Sequence, residues 1–229
     1  MSGRGSAVTL SRHAYEQIRN EILSGRLAPG QPLRVAALTA QIGVSMSVVR
    51  EALTRLSEQG LVIASPNQGF RVIPLSEDDL VDLTGLRVTL ECSALERSID
   101  RGDVNWEALV VSTHHVLERS PAPSSGLGER ERWTAAHADF HDALSSACGS
   151  PRLLGMVRQL RGSAEIYRQW SGAPGVLRGR DVAGEHRMIM ELATARRAPE
   201  AVSALREHIE STTRLVLESR TPPAESPGS

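Results

Sequence analysis

The sequence predicts a mostly α-helical chain in two parts: a small N-terminal unit of short helices closed by one β-hairpin, then a longer all-α bundle. Three observations carry that prediction. Apolar residues make up 40% of the 229 residues but aromatic ones only 3%, so the core must be built from Leu, Val, Ile and Ala, which suits packed helices better than a β-sandwich. Apolar positions recur at helical spacing along most of the chain. A single pair of β-branched runs, Leu61 to Ala64 and Phe70 to Ile73, flanks a turn containing Pro66 and Gly69.

The first helix is expected from about Ser11 to Ser24, with Tyr15, Ile18, Ile22 and Leu23 on one stripe; residues 1–9 before it are expected to be flexible. Gly25, Pro29 and Gly30 break it. A short helix from Val35 to Ile42 presents Leu38 and Ile42 to a core and stops at Gly43. Ser45 is a good N-cap for the next helix, Met46 to Gln59, and Gly60 supplies the stop. With the hairpin that follows, this order makes residues 10–76 a winged helix-turn-helix.

From Ser76 the texture is helical throughout. Ser76 with Asp79 resembles a capping box and opens a helix from Glu77 to Asp100. Val104 to Glu118 follows, then a loop from Pro121 to Gly128. Helices from Glu129 to Ala147, Pro151 to Trp170, Asp181 to Arg196 and Glu200 to Glu218 complete an all-α unit over residues 77–219. The polar, Pro-rich tail at 220–229 is expected to be disordered.

Composition excludes several classes. No apolar run approaches the ~20 residues of a membrane span. The start, MSGRGSAVTL, has no apolar secretion segment, so a cytoplasmic protein is expected. Cys92 and Cys148 do not make a disulfide framework. All 26 basic residues are Arg, which rules out a P-loop lysine and Schiff-base chemistry. Charge is divided unevenly: residues 1–74 hold eight Arg and four acids (+4), and residues 75–229 hold eighteen Arg and twenty-three acids (−5). A basic small part joined to an acidic larger one suggests a nucleic-acid reader with a separate body.

The helix from Met46 has two faces. Val49, Ala52, Leu53 and Leu56 point inward, while Ser47, Arg50 and Thr54 share the other side, with Met46 one turn before Arg50. In a helix-turn-helix this helix enters the major groove, where Arg50 could fork onto guanine and the Ser45 and Ser47 hydroxyls could hold phosphates. Spacing alone also allows an ordinary surface helix with a solvated Arg50.

Residues 10–76 resemble the DNA-binding domain of the GntR family of bacterial transcription regulators. The pieces that carry the resemblance are Gly25-x-Leu27-x-Pro29-Gly30, Gly43-Val44-Ser45 followed by Val49-Arg50-Glu51-Ala52-Leu53, and Glu58-x-Gly60-Leu61, in that order. The resemblance implies that Ser45, Met46, Ser47 and Arg50, with Gln68 and Gly69 at the wing tip, face DNA. The family usually has Arg directly after Gly-Val-Ser; this chain has Met46, which removes one charged contact and puts the usual operator sequence in doubt.

Four of the seven histidines, His137, His141, His186 and His208, fall in three segments able to line a bundle interior. His137 and His141 are one turn apart on one face. Imidazoles from three helices could form a divalent-metal site; spacing alone equally allows separate core or surface residues.

Residues 77–219 resemble the FCD ligand-binding domain of the FadR subfamily. The matching pieces are Leu86-Arg-Val-Thr-Leu-Glu91, Phe140-His-Asp-Ala-Leu144 with Gly149-Ser-Pro-Arg-Leu153, Glu185-His186 and Arg206-Glu-His-Ile209. The resemblance implies a metal held by His141, His186 and His208, with His137 standing where the family has Asp. Two outcomes are open. Either His137 coordinates, and four neutral nitrogens favour Zn, with Ni or Cu possible, over oxygen-preferring ions; or it does not reach, leaving a metal-free effector pocket. Asp139 is a poor substitute, since i+2 on a helix points about 200° away.

Arg87 could face an anionic effector, an organic acid by the family's habit, or simply pair with Glu91 at i, i+4. A metal-dependent hydrolase is the rival class, but neither H-E-x-x-H nor G-x-S-x-G occurs, and no general base is evident. The expectation is therefore a non-enzymatic regulator, a repressor by the family's commoner mode. It would bind a near-palindromic double-stranded operator as a homodimer.

Overall fold

The computed structural model describes residues 3–66, 69–74, 76–120, 127–170 and 180–220. The helices are α1 (Gly3–Leu23), α2 (Val35–Ile42), α3 (Met46–Glu58), α4 (Glu77–Arg101), α5 (Val104–Arg119), α6 (Leu127–Ser145), α7 (Pro151–Trp170), α8 (Val182–Thr194) and α9 (Ala198–Arg220). The strands are β1 (Pro32–Leu33), β2 (Val62–Ser65) and β3 (Gly69–Val72). The chain divides into two compact units, Met1–Leu80 with Gln159–Trp170, and Val81–Arg158 with Ser171–Ser229.

The first unit is a winged helix-turn-helix. α1 begins at Gly3, ahead of the expected Ser11, so the helix takes in residues 3–9. Gly43 ends α2 with φ of +76°, and Ser45 caps α3 by accepting from the Val48 N–H. Gly60, just past α3, has φ of +72°, and a Cβ there would meet Ser163 Oγ at 2.3 Å. Conformation and space thus both call for glycine. The hairpin pairs β2 with β3 from Val62↔Val72 to Ser65↔Gly69. β1, which periodicity did not reveal because it is two residues long, adds to the other edge of β3 at Pro32↔Arg71 and Leu33↔Phe70.

One apolar core holds this unit together. Ala14, Ile18 and Ile22 of α1 meet Val49, Ala52, Leu53 and Leu56 of α3, with Leu61, Val62 and Val72 from the wing. Ile166 of α7, fully buried, completes it. The start of α4 is tied in by Tyr167, whose hydroxyl donates to Asp79 (2.5 Å) and accepts from the Ser76 N–H (3.3 Å).

The second unit is an all-α bundle. Its main core takes Val88, Cys92, Leu95 and Ile99 from α4, Trp106, Val110 and Leu117 from α5, and Trp133, Phe140 and Leu144 from α6. Ile189 and Ala193 of α8 and Ala201, Leu205 and Ile209 of α9 close it. Asp103 caps α5 by accepting from the Asn105 and Trp106 N–H groups, and Asp181 caps α8 through the Gly184 N–H. Both cysteines are free and buried. Among the described residues no helix is long and apolar enough to cross a membrane. The expected tail lies outside the described residues but for Arg220, the last residue of α9.

Candidate functional site

Within the helical unit, three helices aim imidazoles at one point. On α6, Trp133, His137 and Phe140-His141 follow one another at helical spacing, so the face that packs the core also delivers both histidines. α8 buries His186, Ile189 and Ala193, and α9 buries Leu205, His208 and Ile209, each with its histidine in the apolar stripe. One ring nitrogen from each of His137, His141, His186 and His208 lies within 4.8 Å of the other three. His141, His186 and His208 are buried and His137 half-buried. Trp133 stacks on His137 with centroids 4.7 Å apart, and Phe140 stands edge-on to both His141 and His186 at 5.5 Å. His137 lies within the cluster, whereas Asp139 is exposed.

The donor set suits a transition metal. It consists of four imidazoles with no carboxylate or thiolate among them, in an aromatic and aliphatic surround. Neutral nitrogens in that number favour zinc, nickel or copper over calcium, magnesium or manganese.

Two charged residues that periodicity does not single out adjoin the cluster. His208 Nδ1 donates to Glu185 Oε2 at 2.8 Å. Arg180, just before α8, forks onto the same carboxylate at 2.6 and 2.5 Å and reaches Thr212 Oγ1 and the His208 carbonyl, both at 2.8 Å. Burial pushes the Glu185 carboxyl up, but the hydrogen bonds from His208 and Arg180 outweigh it and hold the group down at about 2. Burial pushes His208 down, against the pull of Glu185, with the Arg180 and Arg87 charges acting in the same direction as burial. The consistent state is an ionised Glu185 beside a neutral His208. Glu185 was legible as the neighbour of His186. Arg180 was not, since i to i+5 is no helical pairing and it precedes the helix.

Arg87 takes the helix-pair arrangement. Its Nε donates to Glu91 at 2.7 Å with both side chains largely buried, a structural pair, and its charge is also felt by His208.

In the winged unit, Ser45, Met46, Ser47 and Arg50 are all exposed around the first turns of α3. The Ser45 and Ser47 hydroxyls are 2.9 Å apart, and Met46 is 49% exposed. Gly69 is exposed at the end of the turn with φ of +81°. Gln68 lies outside the described residues.

A winged helix-turn-helix with an exposed polar helix face, and a separate bundle around buried histidines, define a class: a DNA-binding regulator with a sensory domain. The chain belongs to the gntR family of bacterial regulatory proteins, whose DNA-binding domain matches residues 10–72, and it carries an FCD effector-binding domain matching residues 82–211. It is 37% identical over 212 residues to the HTH-type transcriptional regulator BphR of Paraburkholderia xenovorans, covering 91% of this chain and 85% of that one. It is 32% identical over 158 residues to the HTH-type transcriptional repressor GlaR of Escherichia coli, covering 69% and 72%. Its fold matches that of E. coli McbR/YncC with a TM-score of 0.73 at 20% identity, over 93% of this chain and 99% of that one. These families and relatives are transcriptional regulators, not enzymes.

Proposed function

We propose that this regulator is a repressor that binds a near-palindromic operator as a homodimer and responds to a small carboxylate effector held beside a divalent metal, zinc before nickel or copper. The observation that carries the metal reading is the convergence of the His137, His141, His186 and His208 nitrogens. These four residues would hold the ion through neutral nitrogens. Bound there, the ion would supply a +2 charge for an effector carboxylate. The repressor assignment is supported by the relative GlaR, which is named as one.

On the DNA side, Ser45, Met46, Ser47 and Arg50 read the major groove, with Gln68 and Gly69 contacting the duplex from the wing. Arg50 is the residue suited to bidentate recognition of guanine. Two experiments test the reading. Tag-free protein dialysed without chelator is expected to retain near-stoichiometric zinc by elemental analysis, and the His141→Ala variant to lose it; no metal in either overturns the metal site. In a gel-shift titration on its own promoter region, Arg50→Ala is expected to abolish binding, and unchanged affinity ends that role.

A further inference from the structure

We infer that Glu185 is the positioning residue of the histidine cluster: its carboxylate fixes His208 as the Nδ1–H tautomer and so turns the lone pair of Nε2 toward the ion. The inference rests on the metal reading above and adds to it a residue that ligates nothing.

Geometry carries the argument. Glu185 Oε2 and His208 Nδ1 are 2.8 Å apart. A carboxylate only accepts, so the proton between them belongs to Nδ1, and the opposite ring nitrogen is left unprotonated. That is the arrangement in which a metal-binding imidazole is held in its ligating tautomer and made more basic. Glu185 is itself held: Arg180, with a side chain only 10% exposed, spans both carboxylate oxygens and donates to the backbone carbonyl of His208. The guanidinium thus anchors Glu185 to the same residue whose ring Glu185 orients. Arg180 Nη2 also approaches His208 Nδ1, but at 3.4 Å, and it already has two closer acceptors in Glu185 Oε2 and the His208 carbonyl. The carboxylate therefore decides the tautomer.

Position on the helix explains the economy of the device. Glu185 and His186 are consecutive on α8, about 100° apart around its axis. One helix thereby supplies a ligand directly and orients the ligand of α9. The Glu185 charge is offset by Arg180, so the cluster stays neutral and the positive charge of a bound ion remains available to an anionic effector.

The test uses the full-length chain. Zinc affinity is measured by competition with a chromophoric chelator for wild type, Glu185→Gln and His141→Ala, and the His208 ring of metal-stripped protein is read by two-bond 1H–15N correlation. Wild type is expected to show His208 protonated on Nδ1. In Glu185→Gln the amide can accept or donate, so a tautomer mixture is expected, with zinc affinity lowered by about 10–100-fold. His208 protonated on Nε2 in wild type overturns the inference without reference to any variant. Wild-type zinc affinity in Glu185→Gln, with affinity lost in His141→Ala, overturns the role of Glu185 while the metal site stands. No zinc binding by wild type overturns the metal reading and this inference with it.

Discussion

His114 is an imidazole that the cluster leaves out, and its surroundings fix a sign for the pH dependence of stability. It lies on α5, 5% exposed, with its ring edge-on to Phe140 at 5.5 Å. Burial pushes its pKa down, with the Glu118 charge pulling the other way and that of Arg187 aiding burial. The folded chain keeps it neutral, while the unfolded chain protonates it near the ordinary value of about 6.5. Unfolding therefore takes up a proton below that pH, so stability is full above about 6.5 and is lost as pH falls toward the lower folded value. Urea midpoints followed by tryptophan fluorescence should drop between pH 7.5 and 5.5 by less in His114→Leu than in wild type. His208 shifts in the same direction in both proteins and cancels from the comparison. An equal drop would remove His114 as a source of acid lability. At this scale the sequence was informative about which histidines share a helix face, since i, i+4 spacing is local. Spacing alone left the meeting of three helices open, since that is a tertiary fact; the resemblance to the FCD domain is what implied it. The sequence was silent on Arg180, whose partners lie five residues on and on a different helix.

Helix α7 shows where element-level reading ends. Its limits, Pro151 to Trp170, were legible from periodicity. Periodicity reports which face is apolar but not what covers it, and Gln159–Trp170 belongs to the compact unit of the winged domain. Ile166 is fully buried with Leu53 and Leu56 of α3, and Ser163 Oγ donates to the Gly60 carbonyl at 3.4 Å. Helix α3 thus leans on a segment some hundred residues downstream in sequence. Ile166→Ala should lower the opening free energy of α3 amides in hydrogen exchange by about 2–5 kcal/mol, the usual range for such a truncation. Amides of α8 and α9 should be unaffected. Unchanged protection in α3 would show that the winged core does not depend on α7. β1 was missed for a related reason: two residues carry no period, and only pairing with Arg71 and Phe70 defines them.

At the scale of the whole molecule, charge and linkage make separable demands. The surplus of Arg sits in residues 1–74, and the body is acidic, so affinity for DNA must come from a small number of guanidinium–phosphate and guanidinium–base contacts. The helical unit contributes through thermodynamics instead. If zinc in the histidine cluster changes operator affinity by some factor, operator DNA must change zinc affinity by the same factor, whatever route joins the two. Such couplings are typically about 5–150-fold, within reach of paired titrations. Zinc should also stabilise the helical unit directly, by about 2.7 kcal/mol at a hundredfold excess over its Kd. Gel shifts on promoter DNA with and without zinc, set beside chelator competition with and without that DNA, should return one common factor for wild type. In His141→Ala, the zinc-dependent change in operator affinity should vanish while binding of metal-free protein to DNA persists. A zinc effect on DNA binding that survives in His141→Ala would mean the ion acts somewhere other than this cluster, because a site that no longer binds has no differential affinity with which to bias the regulator.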